Sequence, residues 1–114
     1  MALCAVRTNG EIIIVTLPVS VDHVEAMTLE KELREYVARQ PKALLCDMSG
    51  TKYVSSSGLR VFLAIGKMAK TSRVHFGIFS LTKFADHIFS MTGFTNLFAI
   101  YDTEDAAVLA VSKG

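Results

Sequence analysis

A chain of 114 residues, 51% hydrophobic and 20% charged, holds enough apolar material for one domain with one core, which excludes intrinsic disorder. Its 12 lysines and arginines nearly balance 11 aspartates and glutamates, leaving a formal net charge of +1. No basic stripe is available to neutralise phosphates, so neither a nucleic acid nor an anionic membrane surface is expected as a partner.

No apolar run reaches the ~18 residues of a membrane span. The opening Met1-Ala2-Leu3-Cys4-Ala5-Val6-Arg7 is too short and uncharged at its start to read as a secretory signal. Cys4 and Cys46 lie in apolar, strand-like stretches and are expected as buried thiols rather than a disulfide. A cytoplasmic location is the expectation that follows.

Residues 3–8 and 11–17 are predicted as strands joined at Asn9-Gly10, a pair that tolerates positive φ. The second run, Ile12-Ile13-Ile14-Val15-Thr16-Leu17, is nearly continuous and β-branched, as burial on both faces requires; Pro18 ends it. Asp22 followed by Glu25 resembles a capping box. The helix behind it is expected to turn Val24, Met27, Leu29, Leu33, Tyr36 and Val37 inward, with Glu30, Lys31, Glu32, Arg34 and Glu35 outside. Pro41 closes it, and residues 43–47 form a short apolar strand ending in Asp47.

Ser49-Gly50-Thr51-Lys52 then leads to Tyr53-Val54 and to Ser55-Ser56-Ser57-Gly58, where a second helix begins and runs to about Lys70. Leu59, Phe62, Leu63, Ile65, Met68 and Ala69 cover most of its circumference and leave Arg60, Ala64 and Lys67 as a narrow outer stripe. Residues 74–79 read as a fourth strand, Ser80 as the cap of a helix over 81–91, and residues 97–100 as a fifth strand. Asp102 is expected to cap a last helix over 103–112, with Asp105 at the capping-box position. The order β-β-α-β-α-β-α-β-α predicts one α/β domain over residues 1–114. Its sheet is expected as a single layer, mostly parallel, with an antiparallel edge strand from the opening hairpin.

The serine turn is the leading candidate site. Three hydroxyls sit where a helix leaves its first N–H groups unpaired and its dipole is positive. The plain reading is an N-cap, for which one serine suffices. The functional reading is phosphoacceptance: a phosphoryl group there adds roughly −1.5 to −2 charges, which the helix end accommodates. Ser49 and Lys52 match the Ser-x-x-Lys of serine acylases, but the companion motifs are absent and a surface turn explains them. His23, His75 and His87 show no metal-ligand spacing, and neither a phosphate-cradling glycine loop nor a Gly-x-Ser-x-Gly elbow occurs. No metal and no cofactor is therefore expected. Asp22 and Asp47 lie at strand or loop ends that could gather on one sheet edge, although capping explains Asp22.

Taken together, the layout resembles the STAS domain, shared by bacterial anti-sigma factor antagonists and the cytoplasmic part of sulphate transporters. The resemblance rests on Asp47-Met48-Ser49 and on Tyr53-Val54-Ser55-Ser56-Ser57-Gly58-Leu59 opening a helix. Met91-Thr92-Gly93-Phe94 and Ile100-Tyr101-Asp102-Thr103-Glu104-Asp105-Ala106 are similar to the family's Leu-Thr-Gly-Leu and Asp-Thr-Glu segments, so the likeness runs from about residue 5 to 112. It implies a protein that is not an enzyme. Family antagonists bind an anti-sigma factor that is also a serine kinase; phosphorylation ends the binding and a phosphatase restores it.

The family turn is Asp-Ser-Ser-Gly, with the acceptor two residues before the glycine, which implies Ser56 as acceptor and Ser55 or Ser57 as alternates. Asp22, Thr51, Lys52, Tyr53, Ser57, Gly58, Leu59 and Arg60 are the implied partner-binding residues. The chain departs from the family in two places. Ser55 stands where the aspartate is usual, and Leu17-Pro18-Val19-Ser20-Val21-Asp22 lacks the glycine of Leu-x-Gly-x-Leu-Asp. A second reading keeps the fold without phosphorylation, as a scaffold or sensory-complex subunit binding other proteins. A third, a small serine hydrolase, has only the serines and Ser-x-x-Lys in its favour.

Overall fold

The computed structural model describes residues 3–93 and 98–112. Strands β1 (Ala5–Asn9) and β2 (Ile12–Thr16) pair antiparallel with Asn9 opposite Ile12, so the two-residue loop is Gly10-Glu11. The turn is thus displaced by one position from the expected Asn9-Gly10. Gly10 alone carries the positive φ, at 61°, as a two-residue hairpin with glycine in its first central position requires.

β2 then pairs in parallel with β4 (Ala43–Asp47), β4 with β6 (His75–Phe79), and β6 with β7 (Ala99–Tyr101), giving a sheet ordered β1-β2-β4-β6-β7. Among the described residues there are four helices: α1 (His23–Ala38), α2 (Ser56–Thr71), α3 (Lys83–Thr92) and α4 (Glu104–Ser112). The expected mostly parallel sheet with an antiparallel edge is present. A second sheet stands beside it, in which β3 (Ser20–Val21) runs parallel to β5 (Tyr53–Val54). Two residues are too few to show a strand period, so neither segment announces that pairing by itself.

Strand alternation explains why β2 and β4 are apolar throughout. Ile13, Val15, Leu44 and Cys46 pack with α1 residues Leu29 and Leu33, α2 residues Phe62 and Ile65 and α3 residue Phe89; Ile12, Ile14, Ala43 and Leu45 pack with Ala107 and Val111 of α4. Burying a Leu, Ile or Phe side chain contributes about 1.5–3 kcal/mol, so a sheet covered on both faces is the main source of stability. Both cysteines are free and buried, as expected, and burial together with the nearby Glu32 charge pushes the Cys4 thiol up to about 12. The Glu32 carboxylate also accepts the Leu3 and Cys4 N–H groups at 2.7 and 3.2 Å, fastening the chain ahead of β1 to α1.

Three local expectations need correction. In α1 the inward stripe is Ala26, Leu29, Leu33 and Val37, whereas Val24 and Met27 are 75% and 76% exposed. The true stripe advances by three and four residues, and Met27 falls between its members. The cap of α3 is Thr82, whose hydroxyl accepts the Ala85 N–H at 3.3 Å; Ser80, held at φ 59°, instead lies between β6 and the helix. The last helix is capped by Thr103, which accepts the Ala106 N–H at 3.1 Å, rather than by Asp102. A hydroxyl closer to the first turn outcompetes the serine or aspartate further back in both helices. Phe94 of the family-like segment and Leu97, the expected start of the fifth strand, lie outside the described residues.

Arg7 joins three elements across the edge of the sheet. Its guanidinium donates to both Glu104 oxygens at the start of α4 and lies 3.6 Å from Asp47 Oδ2 at the end of β4. The hydrogen bonds from Arg7 hold the Glu104 carboxyl below the usual carboxylate range. A depressed folded-state pKa gives stability that is present above the ordinary carboxylate range and is lost as pH falls through the folded value. Arg7→Ala is expected to remove this limb from the acid side of a stability–pH curve. Because the pair is partly exposed, the loss at neutral pH should be below about 1 kcal/mol by denaturant titration.

Candidate functional site

The connection from β4 to α2 is stitched to its neighbours by its backbone. Asp47 Oδ1 accepts the Ser49 N–H at 2.9 Å, and Thr51 N–H closes a turn onto the Met48 carbonyl at 3.1 Å. Thr51 is fully buried; its hydroxyl donates to the Pro18 carbonyl at 2.9 Å, and its own carbonyl accepts from the Thr82 hydroxyl at 3.0 Å. Val19 O accepts from Lys52 N–H at 2.7 Å, and Val21 O from Ser55 N–H at 2.9 Å. The segment after β2, the segment after β4 and the start of α3 are therefore one hydrogen-bonded surface.

From this surface α2 begins. Ser55 is extended, at φ −80° and ψ 173°, and its hydroxyl accepts the Gly58 N–H at 3.2 Å. That hydroxyl is committed to the N-cap. Ser56, the first helical residue, is exposed, and its side chain has no hydrogen-bond partner among the described residues. Ser57 is half-buried, with Oγ 3.4 Å from His23 Nδ1 on α1. The three hydroxyls thus have three different settings.

Gly58 explains why the turn holds its position. A Cβ there would lie 2.8 Å from Val21 Cγ1, 2.9 Å from the Val21 carbonyl and 2.9 Å from Val54 Cγ1. The first turn of α2 is pressed onto β3 and β5 as no residue with a side chain allows.

Beside the turn, a cavity of about 230 Å³ separates the first turns of α1 and α2. His23, Met27 and Glu30 form one wall and Ser57, Arg60 and Val61 the other. Asp22 stands at the head of α1 and, with Glu25, completes the expected capping box. Exposed apolar side chains flank the area: Met27, Val24, Val19 and the pair Tyr53 and Phe84, whose ring centroids are 6.4 Å apart.

Of the residues expected to meet a partner, Asp22, Lys52, Tyr53 and Arg60 are exposed and Ser57 lines the cavity. Thr51, Gly58 and Leu59 are buried, so they shape the surface rather than present side chains on it. Thr51 is inward because its hydroxyl binds Pro18, and Leu59 because it packs into the helix–sheet core. His23, Met27, Glu30, Val19 and Phe84 were not singled out. Met27 carried a legible signal, since it sits two positions before Leu29 and so on another side of the helix.

Two substitutions test this geometry. Gly58→Ala should destabilise by about 1–3 kcal/mol through overpacking, although alanine is the better helix former; a rise in Tm would contradict the close approach. Ser55→Ala should cost about 1 kcal/mol through loss of the cap, measured by denaturant unfolding, whereas Ser56→Ala should change stability by less than about 0.5 kcal/mol.

The family model for the STAS domain matches residues 4–107. BtrV of Bordetella bronchiseptica, assigned as a candidate anti-sigma factor antagonist, is 28% identical over 90 residues, covering 79% of this chain and 78% of BtrV. The crystal structure of an anti-sigma factor antagonist from Mycobacterium paratuberculosis superposes with a TM-score of 0.87 at 27% identity, over 96% of this chain and 92% of that one. The Bacillus cell fate determinant SpoIIAA, in its phosphorylated form, shares the fold with a TM-score of 0.72 at 13% identity, over 95% of this chain and 98% of SpoIIAA. With its two sheets, its hydroxyl-capped second helix and a match over nearly its whole length, the chain belongs to the STAS domain family.

Proposed function

We infer that this protein is an anti-sigma factor antagonist of a bacterial partner-switching pathway, a non-catalytic cytoplasmic regulator of transcription that binds an anti-sigma factor with serine kinase activity. Phosphorylation of Ser56 ends the binding, and a phosphatase resets it. The observation that carries this reading is the division of labour among the three serines. Ser55 is taken by the helix cap and Ser57 is half-buried against His23, which leaves the Ser56 hydroxyl exposed and, among the described residues, unpartnered at the positive end of a 16-residue helix.

The chemistry of the switch follows from that placement. A phosphoryl group on Ser56 enters solvent rather than the core, and the dipole of α2 favours its charge. The fold stays intact while the docking surface gains a bulky, strongly hydrated anion. Tyr53, Phe84, Val19 and Met27 offer apolar contact area, and Arg60, Lys52 and Glu30 offer charge. Ser55 in place of the usual aspartate means that no carboxylate directly precedes the acceptor, so the kinase meets a neutral neighbour there.

Incubation with ATP and the kinase encoded by the same cell, followed by intact-mass measurement, should add one phosphoryl group, and Ser56→Ala should abolish the gain. Ser56→Asp should weaken binding to the anti-sigma factor by about tenfold or more, with Tm within about 2 °C of the parent. Equal affinity for the parent and the Asp variant would contradict the switch. Partner binding without any mass gain would favour a constitutive scaffold instead.

A further inference from the structure

The opposite pole of the molecule, where the parallel strands start and α1 and α2 end, carries a larger concavity. A cavity of about 480 Å³ is lined by Glu11, Arg39, Gln40, Lys42 and Arg73, with Gly10 of the hairpin at one side. The length of α2, 16 residues, sets this cavity about 24 Å from the serine turn. In a chain with a net charge of only +1, its lining concentrates three cations against the single acid Glu11.

Helix C-termini attract basic residues on their own account, so the cations need a reason beyond the dipole. Two observations supply one. First, the backbone already closes the last turns: Arg39 and Gln40 donate to Tyr36 and Val37 carbonyls at 3.2 and 2.9 Å, and Arg73 and Val74 to Lys70 and Ala69 at 3.2 and 2.8 Å. The basic side chains are left largely unused. Arg73 makes no side-chain hydrogen bond or ion pair among the described residues, Lys42 reaches only the Ser112 carbonyl at 3.3 Å, and Arg39 lies over the Tyr36 ring at 5.1 Å.

Second, Gln40 and Arg73 have φ values of 53° and 61°. Both stand just past a helix cap, in the left-handed region that favours glycine. Two neighbouring positions therefore keep long polar side chains against the preference of their backbone, and both side chains line the same cavity.

We propose that this cavity binds a compact, multivalent oxyanion of the phosphate class, gripped by the guanidinium groups of Arg39 and Arg73 and the Lys42 ammonium. With Glu11 counted, the lining holds two net positive charges, which suits a dianion or pyrophosphate better than a halide. Arginine pairs with such oxygens in a bidentate manner and lysine as a point charge. The site stands apart from the serine surface, so an anion bound here leaves the docking face open.

Thermal shift and isothermal titration test the proposal, with inorganic pyrophosphate and a sugar bisphosphate as probes and sodium chloride at matched ionic strength as control. At least one probe should raise the Tm of the parent beyond the chloride control, and the stronger of the two distinguishes a free inorganic anion from a phosphorylated metabolite. Arg73→Gly should weaken binding by about tenfold or more. Without ligand it should raise Tm by about 2–5 °C, since glycine relieves the left-handed backbone. Gln40→Gly should also raise the unliganded Tm, and it should weaken the probe-induced shift less than Arg73→Gly does, because the amide lines the cavity without carrying charge. No shift with either probe, an equal shift in Arg73→Gly, or a lower unliganded Tm in Arg73→Gly would each overturn the proposal.

Discussion

Where α2 meets β3 and β5 there is no space for even one methyl group, and that contact sets the position of everything around it. Gly58 brings the helix backbone against Val21 and Val54, which in turn fixes how far the preceding serines stand out from the small sheet. A longer separation would leave the first turn of α2 to sway on its connection. A tight one turns a flexible loop end into a defined edge.

The larger sheet gives that edge its foundation. Because β2 and β4 are covered on both faces, by α1, α2 and α3 on one side and α4 on the other, their carboxyl ends are rigid points from which the connecting segments depart. Arg7 ties β1 and β4 to the start of α4, and Glu32 ties the segment ahead of β1 to α1. The hydrophobic terms hold the fold; these polar ties set the alignment of its layers. Open α/β sheets commonly bind ligands beyond the carboxyl ends of their strands; the serine surface lies at that end and the basic cavity at the other.

Much of this was legible in the residues. The continuous Ile-Ile-Ile-Val run of β2 announced a doubly covered strand, and Asp22 with Glu25 announced the start of α1. The serine–glycine turn marked the start of α2 because a hydroxyl cap is a local signal. Less legible was whatever depended on partners distant in the chain. Thr51 stands in a stretch that reads as a surface turn, yet it is buried because Pro18 and Thr82 lie across from it. β3 and β5 exist only as a pair, and neither segment alone carries a strand period. The apolar chemistry of Val24 and Met27 points inward, while their angular position on α1 turns them out. The basic cavity, assembled from a hairpin and two helix ends, had no local signature at all.

Thr51 works as a fastener. By holding Pro18 through its hydroxyl and Thr82 through its carbonyl, it makes three separate stretches of chain behave as a single plate instead of three independent fingers. On the proposed reading, a visiting protein would meet a face that is already set and lose little freedom in ordering it. Recognition on such a face is decided by what its few side chains display, so one altered substituent is felt in full rather than absorbed by readjustment of the loops.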